Sequence, residues 1–235
     1  WTVASQVISA VPGGEDTAAA FADLVEDRYL RESTGDDWVG VQSYTRNVFG
    51  PDGFIRDDPE DTRTLTGWEY WPTAVGEALR HTAGIVGDVP MIVTENGIAT
   101  DDDERRIAYT DGALSSVRAA LDDGLDVRGY LHWSLLDNYE WGSYTPTFGL
   151  VAVDRETFRR TVKPSRRGLV PSRRATLPGC LAGATHEPRP ERLQRSSKLF
   201  GRRAGPPAQV PTGVARSRPK RRAEPRLHGR QRQYT

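Results

Sequence analysis

Cysteine is almost missing from this sequence. The 235 residues hold one, Cys180, so no disulfide closes within the chain and a small disulfide-built scaffold is excluded. Long apolar runs are missing too. A bilayer-spanning helix needs about 20 apolar residues in a row, and nothing here approaches that, so no membrane partner is expected. The sequence opens at Trp1 without an initiator Met and without a basic-then-apolar leader, as expected of a segment from inside a longer product. A cytoplasmic location is the working expectation. Acidic and aromatic residues are scarce only after residue 165. Residues 166–235 hold 18 Lys and Arg against 3 Asp and Glu, and their aromatics are Phe200 and Tyr234. Residues 1–165 hold 14 against 29 and contain all six Trp. The formal net charge of zero therefore averages a net −15 with a net +15. Two unlike polypeptides meet near Ser165.

Two domains follow, 1–165 and 166–235. The second is rich in Arg, Pro, Gly and Ala, with no apolar periodicity beyond a few residues. Such a composition buries too little surface to offset its ordering entropy, so residues 166–235 are expected to be disordered. An out-of-frame reading of a GC-rich gene is the simplest account of it. Its basic residues would contact nucleic acid only nonspecifically, because aromatics for base stacking are nearly lacking.

The first domain alternates strands and helices. Trp1 to Val7 holds the end of a strand. Thr17 to Tyr29 is an amphipathic helix, with Asp16 as its N-cap. Trp38-Val39-Gly40-Val41 is a strand buried on both faces. Residues 73–83 form a helix with Val75, Leu79 and Thr82 on one side. Pro90-Met91-Ile92-Val93-Thr94 is a second buried strand, stopped by Asn96-Gly97. Asp101 to Glu104 places negative charge at the start of a long helix, whose apolar stripe is Ile107, Leu114, Val117, Ala120 and Leu121. Val127 to Trp133 is a third strand. This alternation indicates a parallel α/β sheet or barrel. It amounts to roughly four βα units, half of the eight in a closed (β/α)₈ barrel.

Two places can carry chemistry. Glu95 follows an apolar strand, and the C-terminal strand ends of a barrel form the active-site rim. Spacing alone favours a plainer reading, a solvated Glu beside an Asn-Gly turn. Trp133-Ser134-Leu135-Leu136-Asp137-Asn138-Tyr139-Glu140-Trp141 crowds two Trp, two carboxylates and an amide after another strand. Indoles stack on the C–H faces of sugars, while carboxylates and amides take the hydroxyl hydrogens. The plainer reading, two core Trp flanking a polar loop, requires partners for Asp137, Asn138 and Glu140.

Taken in order, several segments resemble glycoside hydrolase family 1, the β-glucosidase family. Thr94-Glu95-Asn96-Gly97 resembles its Thr-Glu-Asn-Gly signature, and Trp133 to Trp141 its Trp-Ser-Leu-Leu-Asp-Asn-aromatic-Glu-Trp segment. Phe148 to Asp154 and Arg160 to Ser165 continue the likeness. Gly40-Val41-Gln42-Ser43-Tyr44-Thr45 is similar to the family's Gly-x-Asn-Tyr-Tyr-Thr strand, and Gly67-Trp68-Glu69 followed by Pro72 also fits. The resemblance implies a retaining β-glycosidase on a (β/α)₈ barrel, without cofactor or metal. It implies that Glu95 is the nucleophile, oriented by the Tyr44 hydroxyl. It implies that Trp133, Glu140, Trp141 and Phe148 bind the sugar, and that Trp133–Ser134 is a non-proline cis peptide. Glu140 and Trp141 further imply an unphosphorylated glycone such as glucose, galactose or fucose. The family's acid/base lies in a Thr-x-Asn-Glu-Pro motif, and no Asn-Glu-Pro occurs in these 235 residues. Gln42 stands where the family usually has Asn, a change that keeps the amide. The chain is thus expected to carry only half of the reaction. A sugar-binding remnant without catalysis, or nucleic-acid binding through the basic segment, are the alternatives.

Overall fold

The computed structural model describes residues 1–56 and 58–166. A parallel sheet is its frame, with β1 (Thr2–Ala4), β3 (Val39–Gln42), β6 (Met91–Asn96) and β7 (Val127–His132) side by side in chain order. Each neighbouring pair is parallel, in registers such as Val3 with Val41 and Val41 with Val93. Parallel neighbours need long crossovers. Here these contain α1 (Glu15–Ala22) and α2 (Arg28–Glu32), then α3 (Ala74–Val86), then α4 (Asp103–Asp122). A second sheet orders β2 (Val7–Ala10), β4 (Arg46–Gly50) and β5 (Gly53–Ile55), and β8 (Val151–Val153) pairs antiparallel with β9 (Arg160–Val162).

The core lies between the first sheet and its helices. Val39, Val41, Met91 and Val93 alternate along β3 and β6 and join Val75 and Leu79 of α3 and Ala113 and Val117 of α4. Alternation is the signature of a strand with one covered face. The expectation of strands buried on both faces holds for β3, where Val39, Gly40 and Val41 are all buried, and fails for β6 and β7. Ile92 and Thr94 are only half-buried, and Leu131 of β7 is 57 % exposed. Among the described residues no layer covers that second face completely.

Other expectations also shift. Trp38 is exposed and precedes β3 rather than starting it. Trp1 to Val7 divides between β1 and β2, which belong to different sheets. The helix expected over Thr17–Tyr29 starts at Glu15 and is interrupted by a π-helical turn, Asp23–Asp27. Asp16 lies inside its first turn, and Gly14 takes the cap position. The stripe of α4 is rotated. Arg106, Tyr109, Ala113, Val117 and Ala120 are buried, while Ile107, Leu114 and Leu121 are half-buried. Its acidic start is as expected, with the Asp102 side chain accepting from the Glu104 and Arg105 N–H groups. No helix among the described residues is long and apolar enough to cross a membrane. The basic segment expected from Arg166 onward lies, from residue 167, outside the described residues.

Candidate active site

Glu95 sits near the end of β6, beside the end of β3. Both of its carboxylate oxygens accept a hydrogen bond. Gln42 Nε2 donates to Oε1 at 2.7 Å, and the Tyr44 hydroxyl donates to Oε2 at 2.7 Å. Two donors from one neighbouring segment fix the carboxylate's orientation, so the solvated-turn reading fails. Burial, and then the bond to Glu95, push the Tyr44 hydroxyl well above its ordinary pKa. Tyr44 therefore stays a donor across the working pH range. Its ring packs against Trp68, with centroids 5.5 Å apart, and edge-on to Phe148 at 5.8 Å.

Asn96 continues β6 rather than turning it. Its fully buried amide donates to the Ser43 carbonyl at 2.7 Å and to the Tyr109 hydroxyl at 3.3 Å. It accepts from the Tyr130 hydroxyl at 2.7 Å. Tyr109 in turn donates to the Tyr44 carbonyl at 2.7 Å. The ends of β3, β6 and β7 and the middle of α4 thus meet in one satisfied network, directly behind Glu95. Sequence reading missed Tyr109 and Tyr130. The available signal was a tyrosine on a buried face, which needs a partner for its hydroxyl.

Gly97 is required for a reason other than a turn. A Cβ there would lie 1.9 Å from the Trp133 carbonyl oxygen. That carbonyl belongs to the Trp133–Ser134 peptide, which is cis as expected. The following loop folds back so that Trp133 Nε1 donates to Glu140 Oε1 at 3.0 Å. Glu140 is buried, and its charge also acts on the Tyr44 hydroxyl. Asp137 is buried too, and accepts from the Gly149 N–H at 2.8 Å and from Lys163 Nζ at 2.9 Å. Two core Trp flanking a loop do not occur, because Trp133 is half-buried and Trp141 is 89 % exposed with φ 49°. Tyr44, Glu95 and Phe148 are therefore brought together, and Trp133 with Glu140, while Trp141 stands out in solvent. Phe148 is 2 % exposed.

Arg106 is the largest residue that sequence reading passed over. Its fully buried guanidinium donates to Asp103, to the Ile98 and Thr147 carbonyls at 2.8 and 3.0 Å, and to the Thr100 carbonyl. It joins the loop after Glu95 to the segment before Phe148. An arginine in register with the buried stripe of α4 was its signal.

The sequence pattern of Glycosyl hydrolase family 1 matches residues 28–169, more than half of the chain. The chain belongs to glycosyl hydrolase family 1. A family 1 relative is the beta-galactosidase of Sulfolobus acidocaldarius, 39 % identical over 145 residues, covering 55 % of this chain and 29 % of that protein. Beta-glucosidase A of Thermotoga maritima is 35 % identical over 147 residues, covering 55 % and 32 %. Among solved structures, that of beta-glycosidase BGL167 is 47 % identical with a TM-score of 0.67, covering 71 % of this chain and 40 % of that one. The chain thus spans about a third of the length of these curated relatives.

Two predictions test this site. Gly97→Ala should cost about 1–3 kcal/mol or more of overpacking, read by urea unfolding. Gly84→Ala serves as control, since Gly84 lies within α3 with open space around it. That change should stabilise by about 0.5–1 kcal/mol. Similar effects at the two positions would show that the Trp133 carbonyl imposes no constraint. The second concerns His132, whose imidazole burial pushes down to about 4 from 6.5. The unfolded chain takes up this proton near pH 6.5 and the folded chain only near pH 4. His132 therefore contributes stability that is fully present above pH 6.5 and lost as pH falls toward 4. The stability difference between wild type and His132→Gln should change across that window. A constant difference would contradict it.

Proposed function

We propose that residues 1–165 are the C-terminal half of a retaining β-glycosidase barrel, with Glu95 as the nucleophile. The observation that carries this reading is a carboxylate at the end of a parallel strand, held through both oxygens by Gln42 and Tyr44. In this reading β1, β3, β6 and β7 are four adjacent strands of the eight, and the half-exposed face of Ile92 and Leu131 looks into the barrel. Ser165 is tied to the start of α4, since its N–H and hydroxyl both donate to Asp103 at 2.8 Å.

Glu95 would attack the anomeric carbon to form a glycosyl ester, which water then hydrolyses. Tyr44, holding its proton, steadies the carboxylate and donates to it as charge returns after the ester breaks. Glu140, fixed by Trp133, would accept the hydroxyl hydrogens of the sugar. Trp141 offers its ring for stacking. Phe148 backs Tyr44 and bounds the hydroxymethyl end of the cleft. The Glu140 carboxylate would repel a phosphate, which favours an unphosphorylated glucose, galactose or fucose glycone. A retaining enzyme needs a second carboxyl roughly 5–5.5 Å from the first, to protonate the leaving oxygen. These 235 residues contain no Asn-Glu-Pro to supply it. Leaving-group protonation contributes on the order of 10²–10⁴ in rate. The chain by itself is therefore expected to be inactive.

Purified chain should give no turnover of aryl β-glucosides above buffer. Co-expression with the N-terminal half of a family 1 relative should restore turnover, and Glu95→Gln in that complex should abolish it. Turnover by the chain alone would overturn the claim of incompleteness. Activity surviving Glu95→Gln would mean that another residue is the nucleophile.

A further inference from the structure

Helix α3 and the π-helical turn Asp23–Asp27 bring three ligand-type side chains together, away from Glu95. His81 Nε2 lies 2.7 Å from Asp27 Oδ1 and 3.4 Å from Glu26 Oε1, and the ligand atoms of all three fall within 4.8 Å of one another. Glu26 is 1 % exposed, and its Oε2 has no hydrogen-bond partner. A buried carboxylate oxygen without a partner is costly and calls for a proton or a cation. It borders a cavity of about 90 Å³, lined also by Gln6, Glu77, His81, Ala22 and Ala78. Glu77 is engaged elsewhere through Oε1, which accepts from Trp71 Nε1 at 2.8 Å and from the Thr73 hydroxyl at 2.6 Å. His81 is 43 % exposed and leaves the cluster open to solvent on one side.

We propose that Glu26, Asp27 and His81 bind one first-row divalent cation of the zinc class. One imidazole nitrogen and two carboxylates suit such an ion better than magnesium or calcium, which favour oxygen alone. Two carboxylates, a neutral imidazole and a dication sum to zero charge, which makes burial of the centre tolerable. Bonds of about 2.0–2.2 Å set tetrahedral ligand atoms roughly 3.4 Å apart. His81 and Glu26 already stand at 3.4 Å, and His81 and Asp27 would separate from 2.7 Å to admit the ion. The cavity leaves room for water on the open side of the ion. Burial, with the Asp27 charge beside it, raises the Glu26 carboxyl to about 8 when no ion is bound. Ion binding releases the proton of Glu26 to solvent, and His81 ligates through Nε2 as the tautomer with its proton on Nδ1.

The test is metal titration of the whole 235-residue chain after chelator treatment. Cobalt(II) should give a visible absorption band saturating at one ion per chain, and zinc should quench it. Zinc at saturation should raise Tm by about 4 °C or more. Magnesium should do neither. Glu26→Gln, Asp27→Asn and His81→Asn should each weaken cobalt binding by about 10-fold or more. Asp27→Asn is nearly isosteric and partly exposed, so it decides the matter should the others unfold. Replacing Cys180, His186 and His228 together should leave binding unchanged. No band up to about 1 mM cobalt overturns the proposal. So does binding that survives the cluster variants, or that disappears with Cys180, His186 and His228.

Discussion

One buried amide, that of Asn96, holds together the segments on which the candidate site depends. It takes the carbonyl of Ser43, the hydroxyl of Tyr109 and the hydroxyl of Tyr130, and so ties β3, β6, β7 and α4 at a single point. Asn96 and Tyr109 are fully buried, and leaving a buried group of this kind unpaired would cost about 1–3 kcal/mol. A network that closes on itself specifies one arrangement of strand ends. Because Tyr109 also holds the Tyr44 carbonyl, the position of the Tyr44 ring follows from the same point. The hydrogen bond from Tyr44 to Glu95 is thus set by groups that never touch the carboxylate.

Loops around the site are held by buried charge. Arg106 gathers carbonyls from both sides of the cleft, and Asp103 passes the linkage on to Ser165. Asp137 does the same for the Trp133 loop, through Gly149 and Lys163. Gly149 and Gly97 are needed because backbone approaches where a Cβ would stand. Asp137 N is 2.2 Å from the one position, and Trp133 O is 1.9 Å from the other. Elsewhere these loops are open, with Trp141 in solvent. Rigid loop bases below exposed aromatic edges suit the recognition of a sugar face.

Much of this was legible in the sequence. Runs such as Met91-Ile92-Val93 and the spacing of Val75, Leu79 and Thr82 place the strands and α3 where they stand. The Glu95–Tyr44 contact and the cis peptide were expected only through the family resemblance. The rest was hidden for physical reasons. The sheet of β2, β4 and β5 pairs Val7 with Arg46, a contact too distant in sequence for local pattern to show. A π-helical turn leaves no residue signature, so the helix over Thr17–Tyr29 looked continuous. Arg106 is charged and so falls outside an apolar stripe, though Tyr109, Ala113, Val117 and Ala120 at helical spacing from it are buried. Gly97 resembled a turn residue, and only the approach of the Trp133 carbonyl explains it. Gln42 was recognised as an amide, but its bond to Glu95 depends on side-chain reach.

The central claim is that Glu95 forms the covalent bond to the sugar. The most direct measurement is mass spectrometry of the chain complemented by the N-terminal half of a family 1 relative. It would be incubated with a 2-deoxy-2-fluoro-β-glucoside bearing a good leaving group, which slows release of the ester more than its formation. The account predicts a single fluoroglycosyl increment on the peptide containing Glu95, absent from Glu95→Gln. An increment on another residue of an active complex would contradict it, as would turnover that shows no covalent intermediate.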